Sequence, residues 1–403
     1  MIAFLKTHRR IVAFVLLSLL ILLGLYYRII FCLNVQFEGM YEGSPYTHDE
    51  YHYIQMAKNL LEDGRYGYWG GHDAYVTPGY PLFMTGVMSV FGTGEGGILA
   101  VKIAQALMSA ASVYLVFLLC MRLTKKMSAS LIAATFMSMY PPLMLYSRYL
   151  LTETPYIFFI LLYFNVQLWA FDKKKPYHAI AGALFGLTVL VRPMVVVLLP
   201  LPYIFRFFTR KGKEDRRALL ISFAYFAGAV VLVMAPWWIR NLVTLNKFIP
   251  LATQANPFYA GVVRDYKNLP ASSSEFSDGL RLLWRELTTH PLTTIKWYTI
   301  GKLDILFSKP AYSLPSGVSY LTSLVNPIHV FLVSLGALGT VAGLLNRRTR
   351  MVAVYLFVYI ALSLLFIPTS RFGLQYMPFL AVFAGWASTL CFDRARSSAK
   401  ETV

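Results

Sequence analysis

The sequence predicts an all-α polytopic membrane protein with about ten transmembrane helices, and three observations carry that prediction. Of its 403 residues, 57% are hydrophobic and only 14% are charged, with mean hydropathy +0.55, whereas a soluble chain carries about a quarter charged residues. Several apolar runs reach the roughly 20 residues that span a bilayer core. The basic residues fall largely in short clusters between those runs. The net charge of +18 therefore points to topology and anionic membrane lipid, and no nucleic-acid partner is expected.

The elements follow in order. Helix one is expected over 11–31, after Lys6, Arg9 and Arg10. The run is too long for a signal-peptide core and lacks a small-residue cleavage site, so a retained helix is expected. A polar interval over 32–96 forms a first outer loop, in which 80–91 suits a partly inserted or surface helix. Helices two and three cover 97–121 and 127–146, the latter broken by Pro141-Pro142, and helix four covers 155–171. Helix five, 177–191, and helix six flank Arg192-Pro193 and suit a shallow hairpin. Helix seven, 218–239, ends in Pro236-Trp237-Trp238-Ile239-Arg240-Asn241, where paired tryptophans suit an interfacial belt.

A second long outer segment, 240–320, contains a helical stretch at 278–289 and a Ser-rich link at 271–274. Helices eight, nine and ten cover 321–345, 351–367 and 372–392, with Pro368 and Arg371 in a tight outer turn. The inferred inner loops and tails hold more than half of the 37 Lys and Arg. The positive-inside rule then places both termini in the cytoplasm and both long polar segments outside the inner (plasma) membrane. The whole of 1–403 reads as one membrane domain, with function expected from its outer loops and helix mouths. Cys32, Cys120 and Cys391 sit in or beside apolar runs and read as small buried hydrophobes.

The chemistry is expected in the first outer loop. Residues 44–81 concentrate His48, Asp49, Glu50, His52, Glu62, Asp63, His72 and Asp73 in a chain with only 19 acids. Thr47-His48-Asp49-Glu50 matches a capping box. Apolar positions Tyr53, Ile54, Ala57, Leu60 and Leu61 then repeat at helical spacing up to Gly64, which predicts a short amphipathic helix along the membrane plane. Acids in a first turn also favour the helix dipole, so Asp49 reads equally as a helix-stabilising charge and as a general base at the bilayer surface. The histidine spacing matches no zinc motif, and a metal site is not expected. Tyr66, Tyr68, Trp69 and Tyr75 suit either interfacial anchoring or stacking on a sugar.

These residues carry a resemblance. The chain resembles the GT-C glycosyltransferases, in particular the bacterial branch of the protein O-mannosyltransferase type, with the aminoarabinose transferases as more distant relatives. The resemblance rests on several motifs in order: Asp49-Glu50-Tyr51 with its helix, Thr77-Pro78-Gly79-Tyr80-Pro81, and the stretches 147–153 and 186–193. Pro236-Trp237 to Asn241 with 247–251, then His290-Pro291 and the stretch 370–378, complete the set. It implies an inverting transfer of a sugar, hexosyl or pentosyl, from a polyprenyl-phosphate donor to a protein, lipid or glycan hydroxyl on the outer face, with no required cofactor. It makes Asp49 the catalytic base and Glu50 and Glu153 supporting acids.

Arginine forks suit a leaving phosphate, which makes Arg371, Arg240, Arg192 and Arg148 candidates. For the last three, a helix-end snorkel or a pair with an acid serves as well. His52, Trp69 and Tyr75 are the candidates for acceptor or sugar contact. A transporter or flippase would need ionisable groups near the bilayer centre, and helix interiors read as almost free of charge apart from Lys102. A non-catalytic assembly subunit would leave the loop acids replaceable.

Overall fold

Residues 9–34, 46–209, 212–254, 256–264, 276–310 and 322–401 are described by a computed structural model. Lys6, Arg210, Lys211, the start of the polar stretch at 44–45 and the Ser-rich link 271–274 lie outside them. So do the side chains of Arg9, Lys213, Cys391, Arg394, Arg396 and Lys400. Among the described residues the chain is helical with no strand. The helices are α1 (Arg9–Asn34), α2 (His48–Glu62), α3 (Gly79–Phe91), α4 (Glu95–Thr124), α5 (Met127–Met139), α6 (Pro141–Leu145), α7 (Glu153–Ala170), α8 (His178–Val191) and α9 (Leu201–Thr209). They continue as α10 (Lys213–Leu245), α11 (Asn256–Val262), α12 (Phe276–Thr289), α13 (Pro291–Lys296), α14 (Lys302–Phe307), α15 (Thr322–Leu345), α16 (Arg350–Ser363), α17 (Ser370–Gly373) and α18 (Met377–Glu401).

Among the described residues, four helices are long and apolar enough to cross a membrane, within α1, α4, α10 and α15. The shorter apolar pieces include α3, α5 and α16, and the regions of α8 and α9. The expected breaks explain much of this shortening. Pro141 ends α5 and starts α6. Pro193 forces Arg192 into extended backbone (φ −140°, ψ 103°), because a residue before proline is pushed out of the helical region. A 3₁₀ turn, Pro193–Leu198, then separates α8 from α9.

The centre of the bundle is α4, which packs on α1, α3, α5, α7 and α18. The most extensive pairing is α15 on α18. Small residues permit it: a Cβ on Gly339 would lie 2.3 Å from the Phe383 carbonyl oxygen, and such close backbone approach is how helices associate in lipid. The outward faces of α1, α10 and α15 expose Leu22, Leu232 and Leu338, as expected where the solvent is hydrocarbon.

Two expectations need correcting. Helix seven does not stop at 239: α10 runs through Pro236 to Leu245, and Asn246 ends it in left-handed backbone (φ 51°). The paired tryptophans are not only belt residues. Trp237 Nε1 donates to the Leu251 carbonyl at 2.7 Å and Trp238 Nε1 to that of Pro250 at 2.8 Å, which folds the following turn back on the helix. Secondly, helix interiors hold more than Lys102. Arg28 of α1 is fully buried. It donates to Ser109 Oγ (2.7 Å) and to the carbonyls of Gly24 (2.9 Å), Ser138 (3.1 Å) and Met137 (3.1 Å). Satisfied in this way, the guanidinium acts as a clasp between α1, α4 and the end of α5, and it lines neither of the cavities described below.

Candidate active site

Four element ends meet on one side of the bundle: the start of α2, the start of α7, the break after α8 and the turn α17. At α2 the predicted capping box forms. The Glu50 carboxylate accepts from the Thr47 amide at 3.0 Å and the Thr47 hydroxyl at 2.9 Å. Its other oxygen accepts the Leu150 amide at 2.9 Å. Glu50 is therefore buried as a staple between the start of α2 and the approach to α7, while the neighbouring Asp49 is left half-exposed.

Asp49 and Glu153 share Arg371. Nη1 of Arg371 donates to Asp49 Oδ2 at 2.7 Å. Its Nε donates to Glu153 Oε1, and its Nη2 lies 3.4 Å from Glu153 Oε2. Glu153 is fully buried and also accepts Nη2 of Arg192 at 2.6 Å. Arg192 is used on every nitrogen, with Nε to Thr152 Oγ1 at 2.9 Å and Nη1 to Gln375 Oε1 at 3.1 Å. Two carboxylates and two guanidiniums thus form one neutral cluster. Burial pushes the Asp49 carboxyl up, but the charge and hydrogen bond of Arg371, the Tyr68 hydroxyl and His48 outweigh it and hold Asp49 below the usual carboxylate range.

The segment from α11 to α14 fixes Arg371. The Lys302 ammonium, fully buried, donates to the carbonyls of Leu364 and Phe366 just ahead of α17. The Ile367 amide donates to the Pro257 carbonyl at 2.8 Å. Gly373 sits so close to α14 that a Cβ there would lie 2.1 Å from the Leu306 carbonyl oxygen.

Beside Asp49 stands an aromatic group. Tyr68 donates to Asp49 Oδ1 at 3.2 Å. Burial, reinforced by Asp49, pushes the phenol up, so it stays a proton donor. His52 stacks on Tyr68 (4.3 Å between centroids), donating Nδ1–H to the Tyr68 carbonyl at 3.0 Å. Tyr75 and Trp69 lie 4.9 and 5.0 Å from the same ring. Trp69 is exposed and the others are largely covered.

Two cavities meet at this cluster. One, about 410 Å³, is mostly apolar and runs past Val191, Met194, Val197, Phe258 and Phe366. The other, about 330 Å³, is mostly polar and is bounded by Thr47, His48, Tyr146, Tyr149 and Ser370. Asp49 and Arg371 line both, and Arg192 lines the apolar one.

The remaining sequence candidates lie elsewhere. Arg240 donates to the carbonyls of Asp73 and Tyr66, both at 2.7 Å, and to Asn241 at 3.0 Å. It braces the loop between α2 and α3 and lines neither cavity. Arg148 is buried with its guanidinium 5.0 Å from the Tyr149 ring, behind the polar cavity rather than in its wall. Glu50 likewise faces Thr47 and Leu150 rather than Arg371. Sequence reasoning missed Thr152 and Gln375 as partners of Arg192. The one signal was spacing, since Gln375 follows Arg371 by four residues and Thr152 precedes Glu153. It also missed Lys302, which nothing in its local sequence distinguishes from a surface lysine.

The fold is that of membrane glycosyltransferases of known structure, the GT-C architecture. More particularly, residues 75–239 match the family of dolichyl-phosphate-mannose-protein mannosyltransferases, which bears out the resemblance read from the motifs. The matched stretch contains Glu153 and Arg192, while Asp49 and Arg371 lie outside it. No curated protein matches by sequence alone.

Among solved structures, the fold is similar to the Archaeoglobus fulgidus oligosaccharyltransferase AglB in complex with an inhibitory peptide and a dolichol-phosphate. There the TM-score is 0.58 at 16% identity, over 98% of this chain and 52% of that one. It is also similar to ArnT from Cupriavidus metallidurans bound to undecaprenyl phosphate, with TM-score 0.57 at 12% identity over 92% of this chain and 59% of that one. The chain thus spans between half and three-fifths of the length of these proteins.

Proposed function

We propose that this protein is an inverting glycosyltransferase that moves a sugar from a polyprenyl-phosphate donor to an acceptor hydroxyl at the outer side of the membrane. The observation that carries this reading is the position of the bonded pair Asp49–Arg371 on the shared wall of an apolar and a polar cavity. The apolar cavity suits a lipid tail, with its phosphate at Arg371 and Arg192. The polar one suits an acceptor bearing a hydroxyl. Asp49 takes the hydroxyl proton while the acceptor oxygen attacks the anomeric carbon. The bond from that carbon to the phosphate oxygen breaks, and polyprenyl phosphate leaves with the electron pair. Guanidinium donors in a site shielded from water stabilise that developing charge strongly. On this reading the step needs no cofactor.

A carboxylate held by arginine is a weak base, and the geometry supports a remedy. A phosphate arriving at Arg371 competes with Asp49 for the guanidinium. Asp49 then loses part of the interaction that depresses its pKa, and its basicity rises when the donor is in place. Glu153, bonded to both arginines and lining neither cavity, positions them without touching substrate.

The test is Asp49→Asn in purified full-length protein, assayed with a panel of polyprenyl-phosphate sugars for transfer or donor hydrolysis. The expected result is a loss of about 10²–10⁴-fold, the range for general-base catalysis, with folding retained. Turnover equal to wild type would remove Asp49 as the base.

A further inference from the structure

Behind the arginine pair lies a buried, uncharged hydrogen-bond chain. The Tyr156 hydroxyl donates to that of Tyr359 at 2.5 Å, and Tyr359 donates to Gln375 Oε1 at 2.7 Å. The same Oε1 accepts Nη1 of Arg192 at 3.1 Å. The amide cannot turn over, because the Arg192 guanidinium has no acceptor and so requires the oxygen on its side, while Gln375 Nε2 donates to the Tyr376 hydroxyl at 2.9 Å. All four of Tyr156, Tyr359, Gln375 and Tyr376 are fully buried, at 0 or 1% exposure. They come from α7, α16 and the 3₁₀ turn Leu374–Tyr376, which follows Arg371.

This arrangement has a consequence for charge. Protons along the chain all point toward Oε1, and such directional chains strengthen the final acceptor. Gln375 therefore grips Arg192 firmly without adding a charge to the cluster. Of the side chains bonded to Arg192, Thr152 and Gln375 are neutral, and Glu153 is shared with Arg371. A glutamate at 375 would fit the same space and make the same contact, yet as a third carboxylate it would make the neutral cluster at the apolar cavity net negative. We propose that Gln375, oriented by Tyr359 and Tyr156, is a positioning residue that aims Arg192 at the cavity while adding no negative charge to the balanced cluster that receives an anionic lipid phosphate. The proposal deepens the donor reading above and rests on it.

The experiment measures binding of undecaprenyl phosphate in nanodiscs to the full-length protein and its variants, alongside melting temperature and steady-state transfer. Gln375→Glu should weaken lipid-phosphate binding by about tenfold or more, since two charges a few ångströms apart interact by several kcal/mol at an effective dielectric of about 20. The loss should recover at acidic pH as the introduced carboxylate protonates, a response that mere misfolding does not give. Gln375→Leu should keep the charge but lose the aim, lowering kcat more than it raises KM for the donor. Tyr359→Phe should do the same more weakly.

Binding by Gln375→Glu equal to wild type, in a protein of unchanged melting temperature, overturns the assignment of Gln375 alone. If the wild-type protein itself fails to bind undecaprenyl phosphate, the donor reading falls, and this inference falls with it. A pH-independent loss shared equally by the Glu and Leu variants means a purely structural role and overturns the proposal.

Discussion

Arg371→Lys tests the site most sharply, because it keeps the charge and removes the fork. In the wild-type protein one guanidinium reaches Asp49 through Nη1 and Glu153 through Nε and Nη2 at the same time. An ammonium is a point donor on a shorter reach and cannot span both carboxylates in that geometry. At least one charge-assisted hydrogen bond is lost, worth about 1.5–3 kcal/mol. If that bond also orients the leaving phosphate, kcat/KM for the donor should fall by about 10–100-fold, at about 1.4 kcal/mol per decade.

The pH profile separates this from general damage. Asp49 acts as a base only when ionised, so the rate is lost as pH falls through its folded pKa, which Arg371 holds below the ordinary value. Weakening that contact leaves the burial effect less opposed, and the acid limb of kcat/KM should move to higher pH. The assay is transfer from a polyprenyl-phosphate sugar across an acid series, with melting temperature as control. A variant within threefold of wild type, or one whose acid limb stays put (about 0.3 pH units or less on the scale of single-site shifts), would refute the reasoning.

Two further perturbations address the scaffold that holds Arg371. Burial pulls the Lys302 pKa down to about 7 from its ordinary 10.5. Between those values the unfolded chain binds the extra proton, so this group makes stability rise with pH across that window, by at most about 1.4 kcal/mol per pH unit. Lys302→Met should remove that contribution, so the gap in melting temperature between variant and wild type should change from about pH 6 to about pH 9; a constant gap would show that Lys302 does not titrate there. Gly373→Ala forces a methyl against the Leu306 carbonyl, so α14 or the Arg371 turn must shift. A cost of about 1–3 kcal/mol is expected for such overpacking, with reduced transfer, and wild-type activity and melting would show that the approach is slack.

Much of this architecture was legible because lipid imposes simple rules. Apolar length, basic clusters and proline breaks located the helices, and the capping box at Thr47–Glu50 appeared where the spacing put it. The overrun of α10 past 239 was not legible. Pro236 and the polar Arg240-Asn241 look like a stop, and only the fold supplies the Tyr66, Asp73 and Ile249 carbonyls that satisfy those side chains inside a continuing helix. The candidate site shows the same division. Sequence can mark Asp49, Glu153, Arg192 and Arg371 as charged groups at the ends of apolar elements, where charge is cheap to keep. It cannot say that Asp49 and Arg371, 322 positions apart, meet on one wall while Arg240 turns away into a loop. That choice belongs to supporting groups outside the cluster: the Gly373 backbone against α14, the buried Lys302 beneath the turn, and the Gln375 amide behind Arg192. Apart from the four-residue step from Arg371 to Gln375, none of them stands out in the sequence, because each acts by shape and hydrogen bonding rather than by a pattern repeated along the chain.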